Sequence, residues 1–512
     1  MVVPPASPRS LRCPPLWLAS LASLLFCAGC SSPSVQRSGA PTADLPLPPG
    51  IRVAFNHRSD RRYRSPLSGQ WRQGDDLEAL ILEAIRGARR EILVAVQELS
   101  LPAVAEALVE RQRQGVTVRL VLENTYSQPW SQQHEVDLDS HARRRVAQLR
   151  ALGAGDAVAI LQKAAVPMLD DTADGSAGSG LMHHKFMVVD RRLVVTGSAN
   201  FTPSCIHGDP DDPRTRGNVN HLLRLESESL AAVFAAEFAR LWGDGPGGRT
   251  DSRFGVAKGE GRPQRVRIGP TTVEVLFSPH RRGDPFNGLL WLEQQLGRVQ
   301  RDLDLSLFVF SGQNLADSLA RLRQQGVRLR VLVDPGFAWR SYSEVLDLLG
   351  VSLSDSQCRL EAGNRPWQQA IETAGSPRLP QGDKLHHKFA ILDRTRVISG
   401  SFNWSPSAAF GNDETLMRID SPLLAAHFRR EMDRLWRNAD LGVSPRLQRR
   451  WQRQRQRCGS GRQLAAATPS TIALIPRVPV RSSDGVGALA PQQHAPARRH
   501  QSDAARSAHA PR

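Results

Sequence analysis

The chain has 512 residues, 40% hydrophobic and 23% charged, enough apolar material for a buried core. Such a composition excludes wholesale disorder, a collagen-like repeat and a disulfide framework, and the length implies two to four domains, or two large ones. Lysine and arginine number 67 against 50 acids, a formal charge of +17, which by itself points to a polyanionic partner such as nucleic acid or acidic lipid.

The N-terminus reads as an export signal. Arg9 and Arg12 make a positive start, and residues 16–26 (LWLASLASLLF) form a short apolar run. Spanning a bilayer takes roughly 20 apolar residues, so the run fits a cleavable secretory signal better than an anchor. Ala28, Gly29, Cys30, Ser31 and Ser32 follow. This stretch resembles the bacterial lipobox, with Cys27 where a leucine is usual. The resemblance implies a signal peptide over 1–29, lipidation of Cys30 and an exported lipoprotein on the periplasmic or cell-surface side. Ordinary secretion is the alternative. Residues 30–69 are expected to be a tether, since 31–50 are rich in serine and proline. No later segment is long and apolar enough to cross a membrane. Six cysteines are present. With Cys13 and Cys27 removed and Cys30 lipidated, Cys205, Cys358 and Cys458 allow at most one bridge. None forms a CxxC pair, so no zinc site is expected.

The body then repeats itself. Residues 76–89 have helical spacing, 91–99 read as a strand, 101–115 as a helix ended by Gly115, and 116–124 as a strand. The same order recurs over 287–300, 303–310, 314–326 and 327–334, with Gly326 in the place of Gly115. Strands alternating with helices imply parallel β-α-β units with right-handed crossovers. Each half passes through a flexible stretch, 170–180 or 374–384, that is either a plain connector or a rim over a cleft. It then reaches one pattern, H-x-K-x4-D-x6-G-S-x-N. In the first half this is His183, Lys185, Asp190, Ser198 and Asn200; in the second, His386, Lys388, Asp393, Ser401 and Asn403. Each half closes on Arg-Leu-Trp, at 240–242 and 434–436, and the Gly-rich charged residues 246–268 read as the linker. Trp130, Trp339 and Trp404 are expected either at an entrance or in the core.

Read as a strand, the motif puts His183 and Lys185 on one face and His184 and Phe186 on the other, and likewise His386 and Lys388 against His387 and Phe389. The tight Gly-Ser turn lets Asn200 or Asn403 return to the same place. Imidazole, ammonium, hydroxyl and amide are donors suited to a phosphate oxyanion. An imidazole also serves as nucleophile or general acid near neutral pH. Displacement at phosphorus needs attack on one side and protonation of the leaving oxygen on the other, and two facing histidines supply both. Lys185, Lys388, Asn200 and Asn403, with Ser198 and Ser401, would hold the phosphate. The scheme requires no metal and no cofactor.

The doubled motif resembles the phospholipase D superfamily over roughly residues 70–440. The resemblance implies an α/β fold of two pseudo-symmetric α-β-α sandwich halves, 70–245 and 269–440, packed around one central active-site cleft. It implies a monomer with an internal pseudo-dimer. It further implies a phosphohistidine on one motif histidine, commonly the first, His183, with His386 as acid. Asp190 and Asp393 belong to the motif but read as structural. Family members carry an acid downstream of each motif that orients the catalytic histidine. Glu414 stands there in the second half, and Asn220 replaces it in the first. Taken half by half, this makes His386 the carboxylate-supported and more basic ring, which runs against the usual order.

Phospholipid is the expected substrate, cleaved to phosphatidic acid and a free headgroup alcohol, because export and a lipid anchor place the enzyme beside it. A metal-independent endonuclease and a phosphatidyltransferase of cardiolipin synthase type are the alternatives, and a non-catalytic binding module is the reading from another class. The charge is unevenly spread. Residues 446–512 hold 13 arginines and two acids, Asp484 and Asp503, so the body from 30 to 445 carries only +4. Residues 441–512 read as a basic disordered tail, with 446–457 able to form a helix at its start; it is either a plain solvated tail or a hold on anionic lipid or nucleic acid.

Overall fold

A computed structural model describes residues 44–460 and 462–463, apart from 135, 137, 152, 154, 176–179 and 210–213. The expected signal peptide, the lipidation site Cys30 and the tail beyond 463 lie outside the described residues.

In the first half the order is β1 (Ile51–Phe55), α1 (Leu77–Arg86), β2 (Glu91–Val96), α2 (Pro102–Arg113), β3 (Thr117–Leu122), β4 (Met168–Asp170), β5 (Lys185–Val189), β6 (Leu193–Gly197), β7 (His221–Glu226) and α3 (Glu228–Trp242). The strands form one sheet in the order β1-β7-β6-β5-β2-β3-β4. The second half has β8 (Gln264–Ile268), β9 (Thr271–Ser278), α4 (Gly288–Leu296), β10 (Asp302–Leu307), α5 (Gln313–Gln324), β11 (Arg328–Val333), β12 (Ala374–Ser376), β13 (Lys388–Leu392), β14 (Arg396–Gly400), β15 (Glu414–Asp420), α6 (Pro422–Trp436), β16 (Asp440–Leu441) and α7 (Pro445–Cys458). Its sheet runs β8-β9-β15-β14-β13-β10-β11-β12-β16.

Local chemistry sets these boundaries. Asp76 caps α1 by accepting from the Ala79 amide, and Leu77, Leu80, Ile81, Ala84 and Ile85 turn to the core. Pro102 opens α2, and Gly115, at φ +86°, turns the chain out of it. The central strands β5 and β13 are buried on every residue, as expected where helices cover both faces of a sheet. The parallel β-α-β expectation holds for β2-α2-β3 and β10-α5-β11. The motif strands instead run antiparallel to β2 and β10, so each sheet is mixed.

Among the described residues there are three large apolar cores, beside a small cluster of Trp130, Val146 and Leu149. One lies under α1 and α2, and its counterpart lies under α4 and α5. The third is built by both halves, with Phe186 and Phe234 from the first and Phe389 and Phe428 from the second. Phe55 of β1 meets Phe428 of α6 edge to face at 5.1 Å. The halves therefore share a core through α3 and α6.

Three segments depart from expectation. The tether expected over 30–69 is shorter, because β1 pairs with β7 from Ile51 to Phe55 and completes the first sheet. The linker expected over 246–268 ends inside β8, which pairs with β9. The tail expected from 441 begins with ordered structure. Ser444 caps α7, Leu447 is buried in the second-half core with Trp451 packed against it, and Cys458 is bonded to Cys358, 100 residues earlier. Arginine and glutamine dominate the composition of α7, but leucine and tryptophan four apart give it an apolar seam. Closing so long a loop restricts the unfolded chain, so Cys458→Ser should lower stability by about 2–4 kcal/mol, read as a lower melting temperature under oxidising conditions only. Among the described residues no helix is long and apolar enough to cross a membrane.

Candidate active site

Both motifs start at the seam between the halves. The His183 amide donates to the Asp413 carbonyl at 3.0 Å, and the His386 amide to the Val219 carbonyl at 3.0 Å. Each motif strand is thus laced to the opposite half just before it enters its own sheet. Buried carboxylates fix the preceding residue: Asp171 accepts from the Met182 amide at 3.0 Å and Asp334 from the Leu385 amide at 2.8 Å.

That lacing exchanges the supports of the two histidines. His183 Nδ1 lies 2.7 Å from Glu414 Oε2, and His386 Nδ1 lies 3.0 Å from Asn220 Oδ1. The half-by-half pairing is therefore corrected. The carboxylate of the second half supports the histidine of the first, and His386 has only an amide. The reason is the backbone pairing just described, which sets residue 414 beside 183 and residue 220 beside 386. Asn220 has a defined orientation, because its Nδ2 faces the Cys205 and Asn218 carbonyls at 2.9 and 3.0 Å. Its Oδ1 can only accept, so His386 Nδ1 carries a proton. Neither ring makes a hydrogen bond through Nε2 among the described residues, which leaves both Nε2 atoms for substrate.

Ser198 and Ser401 are not at the phosphate position expected for them. Both are fully buried. Ser198 Oγ donates to Asn220 Oδ1 at 2.8 Å and accepts from the His221 amide. Ser401 Oγ accepts from the Thr415 amide and supports Glu414. They position the residues that orient the histidines.

Lys185 Nζ donates to the His183 carbonyl at 2.8 Å and to Gln97 Oε1 at 3.3 Å; Asn200 Nδ2 meets the same Gln97 oxygen at 3.2 Å. Lys388 Nζ donates to the His386 carbonyl at 2.8 Å and sits 4.8 Å from the centre of the Phe308 ring. Gln97 and Phe308 each follow the strand next to the motif strand, so one lysine has an amide neighbour and the other an aromatic one. Sequence reasoning missed both; the signal was their matching place one residue past β2 and β10. Among the described residues the side-chain oxygens of Asn200 and Asn403 are buried without a partner.

Burial dominates the electrostatics. It holds His183 and His386 well below the usual imidazole range, and the nearby lysines push in the same direction. It lowers Lys185 to about 8, holds Lys388 well below its ordinary value and pushes Glu414 up to about 7. The cleft thus gathers two imidazoles and two lysines whose charged forms burial disfavours, and a bound phosphodiester anion would favour those forms.

The second histidine of each motif braces the seam. His184 reaches Thr415 Oγ1 at 2.9 Å and Glu237 at 3.2 Å, while His387 reaches His221 Nδ1 at 3.0 Å and Glu431 at 3.0 Å. Lys258, from the expected linker, pairs with both Glu237 and Asp413. Asp190 and Asp393 lie at the far ends of β5 and β13. Asp190 accepts from the amides of Arg89, Arg90 and Glu91, and Asp393 from those of Gln300, Arg301 and Asp302. Their carboxylates tie a turn to the sheet and touch no reacting group. Asp190→Ala should accordingly cost about 2–3 kcal/mol of stability and leave kcat of the folded enzyme nearly unchanged, which paired denaturation and activity measurements would check. Trp130 and Trp404 are buried. Trp339 is half-buried against the second core. Among the described residues no three His, Cys, Asp or Glu side chains have metal-ligating spacing.

Residues 81–242 and 292–436, more than half of the chain, match the family described as cardiolipin synthase, PLD-like domain. The chain is 31% identical over 157 residues to a mitochondrial cardiolipin hydrolase of Xenopus tropicalis, a match covering 30% of this chain and 62% of that protein. It is 30% identical over 180 residues to the protein of the same name in Xenopus laevis, covering 33% and 73%. Among solved structures, phosphatidylserine synthase of Haemophilus influenzae Rd KW20 aligns with 13% identity and a TM-score of 0.48, covering 76% of this chain and 89% of that one.

Proposed function

Because the chain belongs to the phospholipase D-like family described as cardiolipin synthase, PLD-like domain, and is thereby a phosphodiesterase, we propose that it hydrolyses phospholipid diesters through a phosphohistidine on His183. The observation that carries this reading is the unequal support of the two rings: 2.7 Å to a carboxylate for His183 and 3.0 Å to an amide for His386.

Glu414 accepts from His183 Nδ1–H, so the lone pair stands on Nε2. Attack by Nε2 forms the N–P bond and breaks the P–O bond to the leaving alcohol. His386 is charged when the substrate anion is bound beside it, and this imidazolium gives its Nε2 proton to that oxygen, keeping the Nδ1 proton that Asn220 accepts. The phosphoryl-bearing ring is cationic, and the Glu414 carboxylate stabilises it. His386 lacks such a partner, so its imidazolium is the stronger acid. Lys185, Lys388, Asn200 and Asn403 hold the non-bridging oxygens. Water then attacks phosphorus, His386 takes its proton, and phosphatidate leaves.

The named activity of the Xenopus relatives makes cardiolipin the first substrate to try. The signal-like N-terminus supports export and anchoring through Cys30. The Cys358–Cys458 bond supports an oxidising compartment. The test is an assay of the full chain, with EDTA, on cardiolipin and other phospholipid vesicles and on plasmid DNA. Headgroup or phosphatidate release without nicking is expected. Nicking without lipid cleavage would replace this reading with the endonuclease, and transfer of phosphatidyl to an added alcohol in place of water with the synthase.

A further inference from the structure

Helix α7 has six arginines, at 446, 449, 450, 453, 455 and 457, and no acid. Its apolar side is already used, because Leu447 and Trp451 pack into the second core. Three arginines bind the protein itself: Arg450 reaches the Trp339 carbonyl at 2.7 Å, Arg457 the Ser356 carbonyl at 3.0 Å, and Arg455 lies over the Trp451 ring. Arg446, Arg449 and Arg453 are exposed and make no ion pair among the described residues. Their spacing of three and four places them on one side of the helix. The disulfide from Cys458 to Cys358 and the bond from Gln454 to Ser354 hold that row in a fixed position.

Helix α7 reaches the loop that backs the site through Arg450. The 334–343 loop that receives Arg450 also carries Phe337, whose ring is 4.6 Å from Phe308, and Phe308 is 4.8 Å from the His386 ring. Tyr342 on the same loop and Val443, two residues before α7, are 39% and 40% exposed. A row of unpaired guanidiniums matches an anionic headgroup layer, and the helix does not insert, because its apolar side is covered.

We infer that α7 is an electrostatic docking element for an anionic phospholipid bilayer, holding the wall of the cleft near His386 against the headgroups. The choice of bilayer over nucleic acid rests on the phospholipid reading above.

The test uses the full chain carrying His183→Asn, so that vesicles stay intact. It is sedimented with phosphatidylcholine vesicles with and without phosphatidylglycerol. Binding that requires phosphatidylglycerol and weakens with salt is expected. Arg446→Gln, Arg449→Gln and Arg453→Gln together should lower the partition coefficient roughly a hundredfold, and the same positions as lysine should keep most of it. With His183 restored, the triple glutamine substitution should leave hydrolysis of a soluble diester unchanged, which shows that the variant folds. Unchanged binding by the triple variant, no binding by the parent, or a loss confined to duplex DNA would overturn the inference, the last in favour of a nucleic-acid surface. Failure of the unmutated chain to cleave any lipid would count against the proposed function and leave the sedimentation result standing.

Discussion

His183→Asn should lower kcat/KM for any phosphodiester by about 10⁴-fold or more and abolish a trapped phosphoenzyme. His386→Asn should lose as much on a natural alcohol leaving group but regain roughly 10²-fold or more on a 4-nitrophenyl ester, whose phenolate departs without a proton. The asymmetry follows from the geometry. The attacking nitrogen has no substitute, whereas a general acid matters only as far as the leaving group needs it. His183 is matched to the first task because Glu414, 2.7 Å from Nδ1, holds Nε2 unprotonated and then balances the charge of the phosphorylated ring. Intact-mass detection of the adduct after rapid quench, with a leaving-group series for both variants, separates the roles. Rescue at residue 183 instead of 386 would reverse the assignment.

Much of this site could be read in the sequence, and the parts that could not share a cause. A pattern repeated in equivalent places marked His183, Lys185, His386 and Lys388, because two copies of one constellation constrain each other. Repetition also aligned Glu414 with Asn220. An alignment says which residues are equivalent within each half; it is silent on which half a side chain serves. The crossing from 414 to 183 arises from amide-to-carbonyl bonds between residues 183 and 413 and between 386 and 219, and those are tertiary. Ser198 and Ser401 were misassigned for a related reason: a Gly-Ser turn brings the chain back to the site but does not determine whether the hydroxyl faces the cleft or the layer behind it. That α7 packs into the fold was hidden by composition, which pointed to no more than a helix at the head of a disordered tail. Arginine and glutamine filled ten of its fourteen positions, and its ordering depends on Leu447, Trp451 and a disulfide partner 100 residues away.

Glu414→Gln should remove about 10³-fold or more of kcat/KM while making the folded protein more stable above neutral pH. Burial pushes the Glu414 carboxyl up to about 7, so below that pH it is protonated. A carboxylic acid would donate to His183 Nδ1 and move the ring proton to Nε2, which extinguishes the nucleophile. In the parent, kcat/KM should therefore fall with unit slope as pH drops through about 7, and this limb should vanish in the glutamine variant, which is poor at every pH. Stability runs the other way. A carboxyl whose folded pKa is raised favours folding while it is protonated, and that contribution is lost as pH rises from its unfolded value near 4.5 through about 7. An amide of the same shape carries no such penalty, so at pH 8 the variant should melt above the parent, a direct exchange of stability for activity. Asn220→Asp offers the converse. It would place a carboxylate under His386, raise that ring's pKa and make it a weaker acid, so cleavage of poor leaving groups should slow more than that of good ones. Equal pH profiles for parent and Glu414→Gln would mean that the carboxylate does not set the tautomer of His183, and the nucleophile assignment would lose its support.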